Sequence, residues 1–542
     1  MYTSALLALW GGVAFVIYRI VEYGLEELRH HRNAKCLGCE PVYKMPNPDG
    51  MGITLLFQLL NSNRQFNFPE TSKKRLFRQW EKEGRAIPTV GHTVFGLKVI
   101  HTVDPKNVQA VLATKFKDFG LGELRYKIFN PLLGDSIFSS DGETWSRLRA
   151  LLRPHFARDQ VSDLDLEERH VQHLMRHLTT APEGWTRVTD LKPLFFRLTI
   201  DSATEFLFGK SADSQLSSLP GYEPSRDTPD VNEKDFTASF DAAQQVTGRS
   251  GLLGNLYWLM HNKGFKEDVR RCQSFIDHYV QLALNKEKST ARLTSTGKQK
   301  TVLLDGLIES TRDPIELRDH MMGLLLAGRD TTASLLSFVF MTFTQRPDVY
   351  AKLRTIVLET FGTYNHPRNI TFESLKGCTY LQWVLNETLR LYPVLPIDGR
   401  RALKDTCLPF GGGPDGTKPV YIRKDTPVEY GIYTIHRRKD LWGEDADDFR
   451  PERWDGRRSR WEYIPFNGGP RICIGQQFAL TEAAYVIVRL LQRFEKCEGV
   501  GNSWEPAEKG GYGYIRWVIS LTGSPADGVK LRFKEAQESA DE

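Results

Sequence analysis

Residues 466–479 read FNGGPRICIGQQFA and place one cysteine, Cys473, in a glycine-rich turn. Gly468 and Gly469 precede this cysteine and Gly475 follows it, so three nearby positions carry no side chain. The residues directly after the cysteine have a helical composition. A helix that begins there would direct its free N–H groups and its positive dipole end at the sulfur. Such a turn favours a thiolate, the form of cysteine that binds metals.

The pattern suits a thiolate ligand of haem iron, which needs shielding from water, N–H donors and room for a flat porphyrin. Glycines leave that room, and Arg471 can reach a haem propionate. A buried structural cysteine in a glycine turn is the alternative. Phe466, Gly469, Arg471, Cys473 and Gly475, at this spacing, closely resemble the cysteine loop of the cytochrome P450 family. The resemblance implies a haem-thiolate monooxygenase in which Cys473 ligates the iron of haem b.

A long helix is predicted from Asp313, which together with Pro314 forms a specific start signal. Its apolar pattern continues to about Gln345, and Pro347 prevents further extension. The segment AGRDTT, residues 327–332, lies in the middle of this helix. Its alanine and glycine remove bulk at a place where a haem face and O₂ fit.

Within that segment, Asp330 and Thr331 place an acid beside a hydroxyl in an otherwise apolar helix. This pair suits proton delivery to reduced O₂. Alternatively, Thr331 bonds back to a helix carbonyl and Asp330 is exposed. AGRDTT matches the oxygen-activation motif of the cytochrome P450 family, which implies catalytic roles for both residues. A fatty-acid-hydroxylating branch often has Glu in place of Ala327 and uses it to bond haem covalently; no such bond is expected here.

Further cations are expected at the haem propionates. Trp145 and Arg149 lie one helical turn apart and match the propionate-binding Trp-x-x-x-Arg of the family. Arg400 matches the arginine that follows a Glu-x-x-Arg helix, although the adjacent Arg401 is an alternative. With Arg471, these residues form the expected cofactor-binding set. A solvated surface arginine is the other interpretation of each.

The segment LNETLRLYP contains Glu387 and Arg390, three residues apart and therefore on one helix face. Apolar neighbours predict that the pair is buried and needs further partners. In the resembled family this pair joins the arginine of a later PER motif, here Arg453, to lock the core behind the cysteine loop. The expected role is structural.

Composition fits a large catalytic domain. The chain has 542 residues with 40% hydrophobic content, and 72 basic against 67 acidic residues give a net charge of +5, which argues against nucleic acid. Seven cysteines without a disulfide framework indicate a reducing compartment. Cys36 and Cys39 form a CxxC pair, but no second pair follows, which disfavours a zinc or redox site.

Residues 1–18, MYTSALLALWGGVAFVIY, carry no charged side chain. As a helix they would span roughly 27 Å, enough for a thin bilayer. A cleaved signal peptide is the alternative, but no basic segment precedes the apolar run. Arg19, Arg29 and Arg32 follow it. The positive-inside rule therefore predicts a single-pass anchor in the endoplasmic reticulum membrane, with the catalytic domain in the cytosol.

The resemblance implies the cytochrome P450 fold, mainly α with small β-sheets, preceded by a single N-terminal transmembrane helix. TVFGLKVIHTV, residues 93–103, predicts strands of a small sheet. The polar stretches 218–236 and 286–300 predict exposed loops. The expected divisions are an anchor at 1–20, a juxtamembrane linker at 21–50, the monooxygenase domain at 51–535 and a polar tail at 536–542.

Finer similarities indicate one subfamily. FFRLTIDSATEFLFG at 195–209, the LGC of the linker and LPFGGGPDGTKPV after Arg401 resemble the fungal cytochromes P450 that hydroxylate n-alkanes and long-chain fatty acids. The implied substrate is a long aliphatic chain, hydroxylated at or near its terminal carbon in a narrow apolar channel. Val394, Leu395 and Leu326 are expected to line this channel. The segment PVLPIDGRRA departs from the subfamily and leaves the chain-length preference open.

The chain shows no flavin or nicotinamide motif. The resemblance therefore implies NADPH electrons from a separate NADPH-cytochrome P450 reductase, with cytochrome b5 as another donor, and a hydrophobic substrate and membrane lipid as further partners. Other interpretations stay open. A monooxygenase of secondary metabolites or xenobiotics would use the same site. A haem-thiolate isomerase or dehydratase would dispense with Asp330 and Thr331. A haem sensor or carrier would need only Cys473.

Overall fold

The fold was analysed in a computed structural model, which describes residues 2–156, 164–222, 233–285, 292–293, 299–300, 302–501, 504–505 and 513–537. Most elements are helices, and the strands are short. The expected class, mainly α with small β-sheets, is therefore confirmed.

The helices range from single turns to an N-terminal helix of 35 residues. In chain order they are α1 Tyr2–Cys36, α2 Ile53–Arg64, α3 Phe68–Glu83, α4 Pro105–Gln109, α5 Glu123–Leu133, α6 Gly142–Leu152, α7 Asp165–Met175, α8 Leu191–Phe208, α9 Ser214–Ser217, α10 Glu233–Leu253, α11 Lys263–Leu284, α12 Leu303–Ile308, α13 Pro314–Gln345, α14 Pro347–Phe361, α15 Phe372–Gly377, α16 Thr379–Leu391, α17 Ile432–Ile435, α18 Lys439–Trp442 and α19 Gln476–Arg493.

The strands are β1 Tyr43–Lys44, β2 Thr89–Val94, β3 Leu97–Thr102, β4 Phe119–Gly120, β5 Thr189–Asp190, β6 Arg292–Leu293, β7 Gln299–Lys300, β8 Asp398–Ala402, β9 Thr406–Gly412, β10 Lys418–Ile422, β11 Pro427–Tyr430, β12 Phe494–Gly499, β13 Trp504–Glu505, β14 Tyr514–Ile515, β15 Trp517–Ile519, β16 Gly523–Pro525 and β17 Lys530–Glu535. The largest sheet has the order β1-β2-β3-β11-β8-β4, and β9 pairs with β10 in a separate hairpin.

The predicted strands of 93–103 form part of an antiparallel hairpin, β2 and β3, with Val94 opposite Leu97. The two turn residues between them, Phe95 and Gly96, have φ values of 48° and 78°. Two consecutive residues with positive φ make the tight turn that matches the twist of paired strands.

Helix α13 begins and ends where the sequence predicted. The Asp313 side chain accepts a hydrogen bond from the backbone N–H of Ile315 at 2.9 Å, and the helix ends at Gln345, before Pro347. The side-chain cap and the proline account for both boundaries.

The same helix runs through two apolar cores. Up to Leu326 it packs with α8, α10 and α11, and from Ala333 onward it packs with α14, α16 and α19. None of the intervening residues 327–332 belongs to either core. The fold therefore places AGRDTT in the interior, between two regions of dense packing.

Helix α1 is longer than the expected anchor and continues through Cys36, so part of the expected irregular linker is helical. Apolar side chains in its first half are exposed, with Leu9 at 68%, Trp10 at 65% and Ile20 at 65% of their full accessibility. Further along, Glu27 accepts hydrogen bonds of 2.5 and 2.6 Å from Arg423. The C-terminal half of α1 therefore docks on the catalytic body.

Within the described residues, α13 meets the length and apolarity of a membrane-crossing helix, but it is mostly buried in the protein and serves as a core helix. Of the expected loops, residues 223–232 and most of 286–300 lie outside the described residues, as does the tail from 538. The part of the second loop that is described pairs as β6 with β7.

Candidate functional site

The cysteine loop leads from a 3₁₀ turn at Gly469–Arg471 into α19, whose N-cap is Gly475. The backbone N–H of Cys473 donates to the carbonyl oxygen of Phe466 at 3.0 Å and closes the turn. Burial raises the pKa of the Cys473 thiol, whereas the backbone N–H of Gly475 and the guanidinium of Arg149 favour the thiolate. The loop thus gives the sulfur an N–H donor and a nearby cation.

Two of the three glycines serve the protein's own packing, which corrects the expectation that all three clear a porphyrin. Gly469 has a φ of +67°, and a Cβ there would lie 1.9 Å from the carbonyl oxygen of Leu112. A Cβ on Gly468 would lie 2.6 Å from the ring of Trp461. At Gly475 the nearest atom, on the ring of Phe156, would be 3.7 Å away, which is an ordinary contact.

Accessible groups on α13 and in the cysteine loop indicate hollows inside the protein at both places. Ala327, Gly328 and Thr331 share one face of α13 and are partly accessible, although most of that helix is buried. Cys473 is accessible as well, even though burial raises the pKa of its thiol. Accessible groups deep inside a protein face a hollow. An accessible sulfur ligand and an accessible helix face of small residues fit a haem group.

A cluster of arginines beside the loop fits the haem propionates. Burial lowers the pKa of Arg471 to about 10, and the positive charges of Arg400, Arg125 and Arg149 act in the same direction, against Asp141. The Nε atoms of Arg471 and Arg125 are buried and make no hydrogen bond within the described chain. Surplus buried positive charge with unused donors is suited to a ligand that carries two carboxylates.

The structure brings together three of the predicted propionate residues. The guanidinium of Arg471 lies 4.3 Å from the centre of the Trp145 ring and 2.6 Å from an oxygen of Asp141. Arg149 donates to the carbonyl oxygen of Ile472 at 2.8 Å. Trp145 and Arg149 therefore hold the cysteine loop as well as flank the arginine cluster.

Of the two adjacent candidates, Arg400 belongs to the cluster and Arg401 does not. Arg400 is buried and donates to Asp398 at 2.9 Å, whereas Arg401 donates to the carbonyl oxygen of Asp425 at 2.6 Å. Burial alone would raise the pKa of Asp398. The guanidiniums of Arg400 and Arg125 outweigh this effect and hold that pKa well below its ordinary value. The alternative residue Arg401 is thus disfavoured by its position.

Asp398 and Arg125 were missed by the sequence analysis. Asp398 stands two residues before Arg400 on β8, and residues two apart on a strand share a face. The spacing to Arg400 could therefore have indicated Asp398. Arg125, on α5, lies 3.3 Å from Asp398 but is remote in sequence, and no local pattern points to it.

Thr331 and Asp330 occupy different environments. Thr331 donates to the carbonyl oxygen of Ala327 at 2.6 Å, the back-bond that was the alternative interpretation, yet it also faces the hollow. Asp330 is buried and accepts from Arg329 at 3.1 Å, so the alternative interpretation of an exposed acid is wrong. Burial raises the pKa of Asp330 to about 6, with Arg329 opposing and Asp241 assisting. An acid with this pKa can exchange protons near neutral pH.

The predicted buried scaffold is confirmed. Arg390 donates to both oxygens of Glu387, at 2.8 and 2.9 Å, and Arg453 donates to Glu387 at 3.2 Å. The indole N–H of Trp454 adds a bond of 3.0 Å to the same carboxylate. Three charged side chains and one indole thus meet in the protein interior.

A cavity of about 820 Å³ lies between the largest sheet, α2, α3, α5 and the end of α10, and Arg400 is part of its wall. Its apolar lining includes Leu55, Leu59, Phe68, Val99, Ile128 and Phe129. The residues expected to line a substrate channel, Val394, Leu395 and Leu326, are not part of this wall and pack in or against the apolar cores. Their place in a channel above the haem iron stays a prediction.

Comparisons with known proteins agree with this geometry. The sequence profile described as cytochrome P450 matches residues 63–506. Cytochrome P450 monooxygenase g430 of Fusarium sp is 45% identical over 97% of this chain and 90% of its own length. Cytochrome P450 52A5 of Candida maltosa is 44% identical over 96% and 95%, and cytochrome P450 52A1 of Candida tropicalis is 47% identical over 75% and 74%.

Proposed function

The chain belongs to the cytochrome P450 family, and from this membership we propose that it hydroxylates long aliphatic substrates, n-alkanes or fatty acids, at or near the terminal carbon. As a member of the family it is a monooxygenase that uses haem, O₂ and NADPH electrons supplied through a separate reductase, and it acts on a hydrophobic substrate.

The observation that carries the proposal is the apolar cavity. Its volume of about 820 Å³ falls within the range of about 300 to 1,000 Å³ that is usual for small-molecule sites. Aliphatic side chains and phenylalanine rings form much of its wall, and the wall extends to Arg400 in the arginine cluster. Such a cavity suits a flexible hydrocarbon chain that reaches toward the haem side. The likeness to fungal alkane and fatty-acid hydroxylases supports the same substrate class.

Different residues of the protein would bind the haem and transfer protons. Cys473 would hold the haem iron, and Arg149, Arg400 and Arg471 would hold the propionates. Bound haem supplies the centre at which O₂ is activated. Thr331 would place a hydroxyl in the hollow, and Asp330 would exchange protons with the interior through its partly protonated carboxyl. The buried surroundings exclude bulk water from the site.

The proposed location is the endoplasmic reticulum membrane, with a single crossing by the anchor, residues 1–20, and the catalytic domain, 51–535, on the cytosolic side. The exposed apolar side chains of α1 support an anchor because a helix in water would leave them unprotected. The same proposal includes cytochrome b5 as a further electron donor. It also includes contact between the catalytic domain and membrane lipid.

A reductase-coupled assay tests the substrate class. n-Alkanes and fatty acids of graded length are supplied with NADPH and reductase, and mass spectrometry locates the new hydroxyl group. We expect hydroxylation of long chains at or near the terminal carbon. Oxidation of polycyclic compounds with no oxidation of any long chain would refute the substrate class and leave the family membership intact.

A further inference from the structure

Four arginines line the aliphatic cavity, and a carboxylate acts on three of them. Arg125 and Arg400 both bind the buried carboxylate of Asp398, at 3.3 and 2.9 Å. Arg401 donates to the carbonyl oxygen of Asp425 at 2.6 Å. Each of these three cations thus has a carboxylate that acts on it, Asp398 for Arg125 and Arg400 and Asp425 for Arg401.

Arg75, on α3, differs from the other three. Its guanidinium donates to the side-chain oxygen of Asn47 at 3.0 Å, and it makes no ion pair with any residue that the structure describes. Burial lowers its pKa, and no carboxylate opposes that effect. Since a guanidinium remains charged at neutral pH, Arg75 brings to the cavity wall a positive charge that has no carboxylate partner among the described residues.

The other titratable groups near Arg75 form no ion pair with it in the part of the chain that the structure describes. Burial lowers the pKa of His92 to about 3 and that of His101 to about 4, with the charge of Arg75 acting in the same direction. Both histidines are therefore neutral at pH 7. Burial alone raises the pKa of Glu429 to about 7, so this acid is partly protonated and shows no electrostatic link to Arg75.

We propose that Arg75 binds the carboxylate of a fatty acid, so that the preferred substrate is an aliphatic chain with an anionic end rather than an n-alkane. This inference rests on the proposed function above and narrows its substrate class. An alkane would leave the charge of Arg75 with no carboxylate partner among the described residues. A carboxylate would neutralise it through charge-assisted hydrogen bonds, which are stronger than bonds between neutral groups.

The position of Arg75 also orients the chain. The cavity that contains Arg75 extends to Arg400, which belongs to the arginine cluster beside the cysteine loop. Leu59, Ile128 and Phe129 contribute apolar surface to the same cavity. A chain held at Arg75 by its carboxylate therefore directs its methyl end toward the haem side, which accounts for hydroxylation at or near the terminal carbon.

The test compares two ligands of equal chain length, dodecanoate and methyl dodecanoate, at pH 7.5 on the haem-loaded full chain. Binding is followed by the shift of the haem absorption and, independently, by calorimetry. We expect the acid to bind at least 10-fold more tightly than the ester. Arg75→Gln should weaken acid binding by about 10- to 100-fold, the usual contribution of hydrogen bonds to a charged group, and should leave ester binding within about 2-fold.

Two further variants test whether the charge and the position of Arg75 matter. Arg75→Lys retains the charge and should recover part of the preference for the acid. Arg78→Gln makes the same change on an exposed part of α3 and should leave the affinities of both ligands as in the wild type. An intact reduced carbon-monoxide spectrum shows for each variant that the haem site is folded.

Equal affinity for acid and ester in the wild type, or unchanged acid binding in Arg75→Gln, would overturn the assignment of Arg75. If alkanes are hydroxylated in that case, the proposed function stands without this anchor. If no long chain of either kind binds or reacts, the proposed function fails as well, and the two failures are thereby distinguished.

Discussion

At Cys473 the groups that favour a thiolate are a backbone N–H and the side chain of Arg149. Serine keeps nearly the same shape, so the loop should fold, but its hydroxyl does not provide a thiolate ligand. We expect Cys473→Ser to abolish the absorption shift that reduced haem-thiolate proteins show with carbon monoxide. Cys36→Ser, at an exposed position, is the control and should retain the shift. A full shift in Cys473→Ser would contradict the ligand assignment.

Asp330 gives a pH-dependent prediction. Folding raises its pKa from 3.8 to about 6, so protonation stabilises the native state fully below about pH 4 and progressively less as the pH rises to about 6. Asp330→Asn should remove this dependence from thermal unfolding measured between pH 4 and 7. It should also lower turnover by about 100-fold or more, because the amide does not relay protons.

Asp241→Asn is the control for that measurement, since Asp241 also binds Arg329 but is half exposed. It should retain most of the turnover. If Asp330→Asn reacted at the wild-type rate with the wild-type pH profile, Asp330 would have no part in proton delivery.

The sequence predicted residues that belong to compact motifs and missed those that the fold assembles. Cys473, Thr331 and Arg149 each lie in a short segment whose spacing indicates its chemistry. Arg75 and Arg125 become informative only through neighbours that are distant in sequence, such as His101 and Asp398. The protonation state of Asp330 also required the structure, because it depends on burial.

Among the elements, α16 carries the charged scaffold that lies in the interior. Glu387 binds Arg390 and Arg453, and its side chain is fully buried. Glu387→Gln removes the negative charge and leaves two buried guanidiniums without an anion at that point. We expect a loss of about 3 to 5 kcal/mol in the free energy of unfolding, measured by denaturant titration with haem absorption as the probe.

The matched control is Glu452→Gln, which affects an ion pair with Lys352 in which both side chains are about half exposed. Pairs of this kind contribute about 0 to 1 kcal/mol, so this variant should unfold close to the wild type. Equal losses in the two variants would show that burial of the Glu387 network does not add to its effect.

Element boundaries were predictable where the signal was local. Asp313 and Pro347 define the two ends of α13 through a side-chain cap and a missing N–H group. For α1, the apolar composition of residues 1–18 indicated a helix but not its extension to Cys36. That extension coincides with a tertiary contact between Glu27 and Arg423, which no local pattern contains.

For the whole molecule, the anchor and the body should be separable. Deletion of residues 1–20 removes the uncharged apolar segment of α1, although exposed Leu25 and Leu28 remain, and leaves Glu27 in place to bind Arg423. We expect the shortened protein to move from the membrane fraction to the soluble fraction while it retains the reduced carbon-monoxide spectrum. A shortened protein that stays in carbonate-washed membranes would show that other surfaces hold it there.

Helix α13 connects the two apolar cores of the molecule. One end of this helix, up to Leu326, belongs to one apolar core, and the other end, from Ala333, belongs to the second. Neither core can lose its central helix without disturbing the other. The two halves of the catalytic body are therefore cooperative, and heating should melt them in a single transition rather than one after the other.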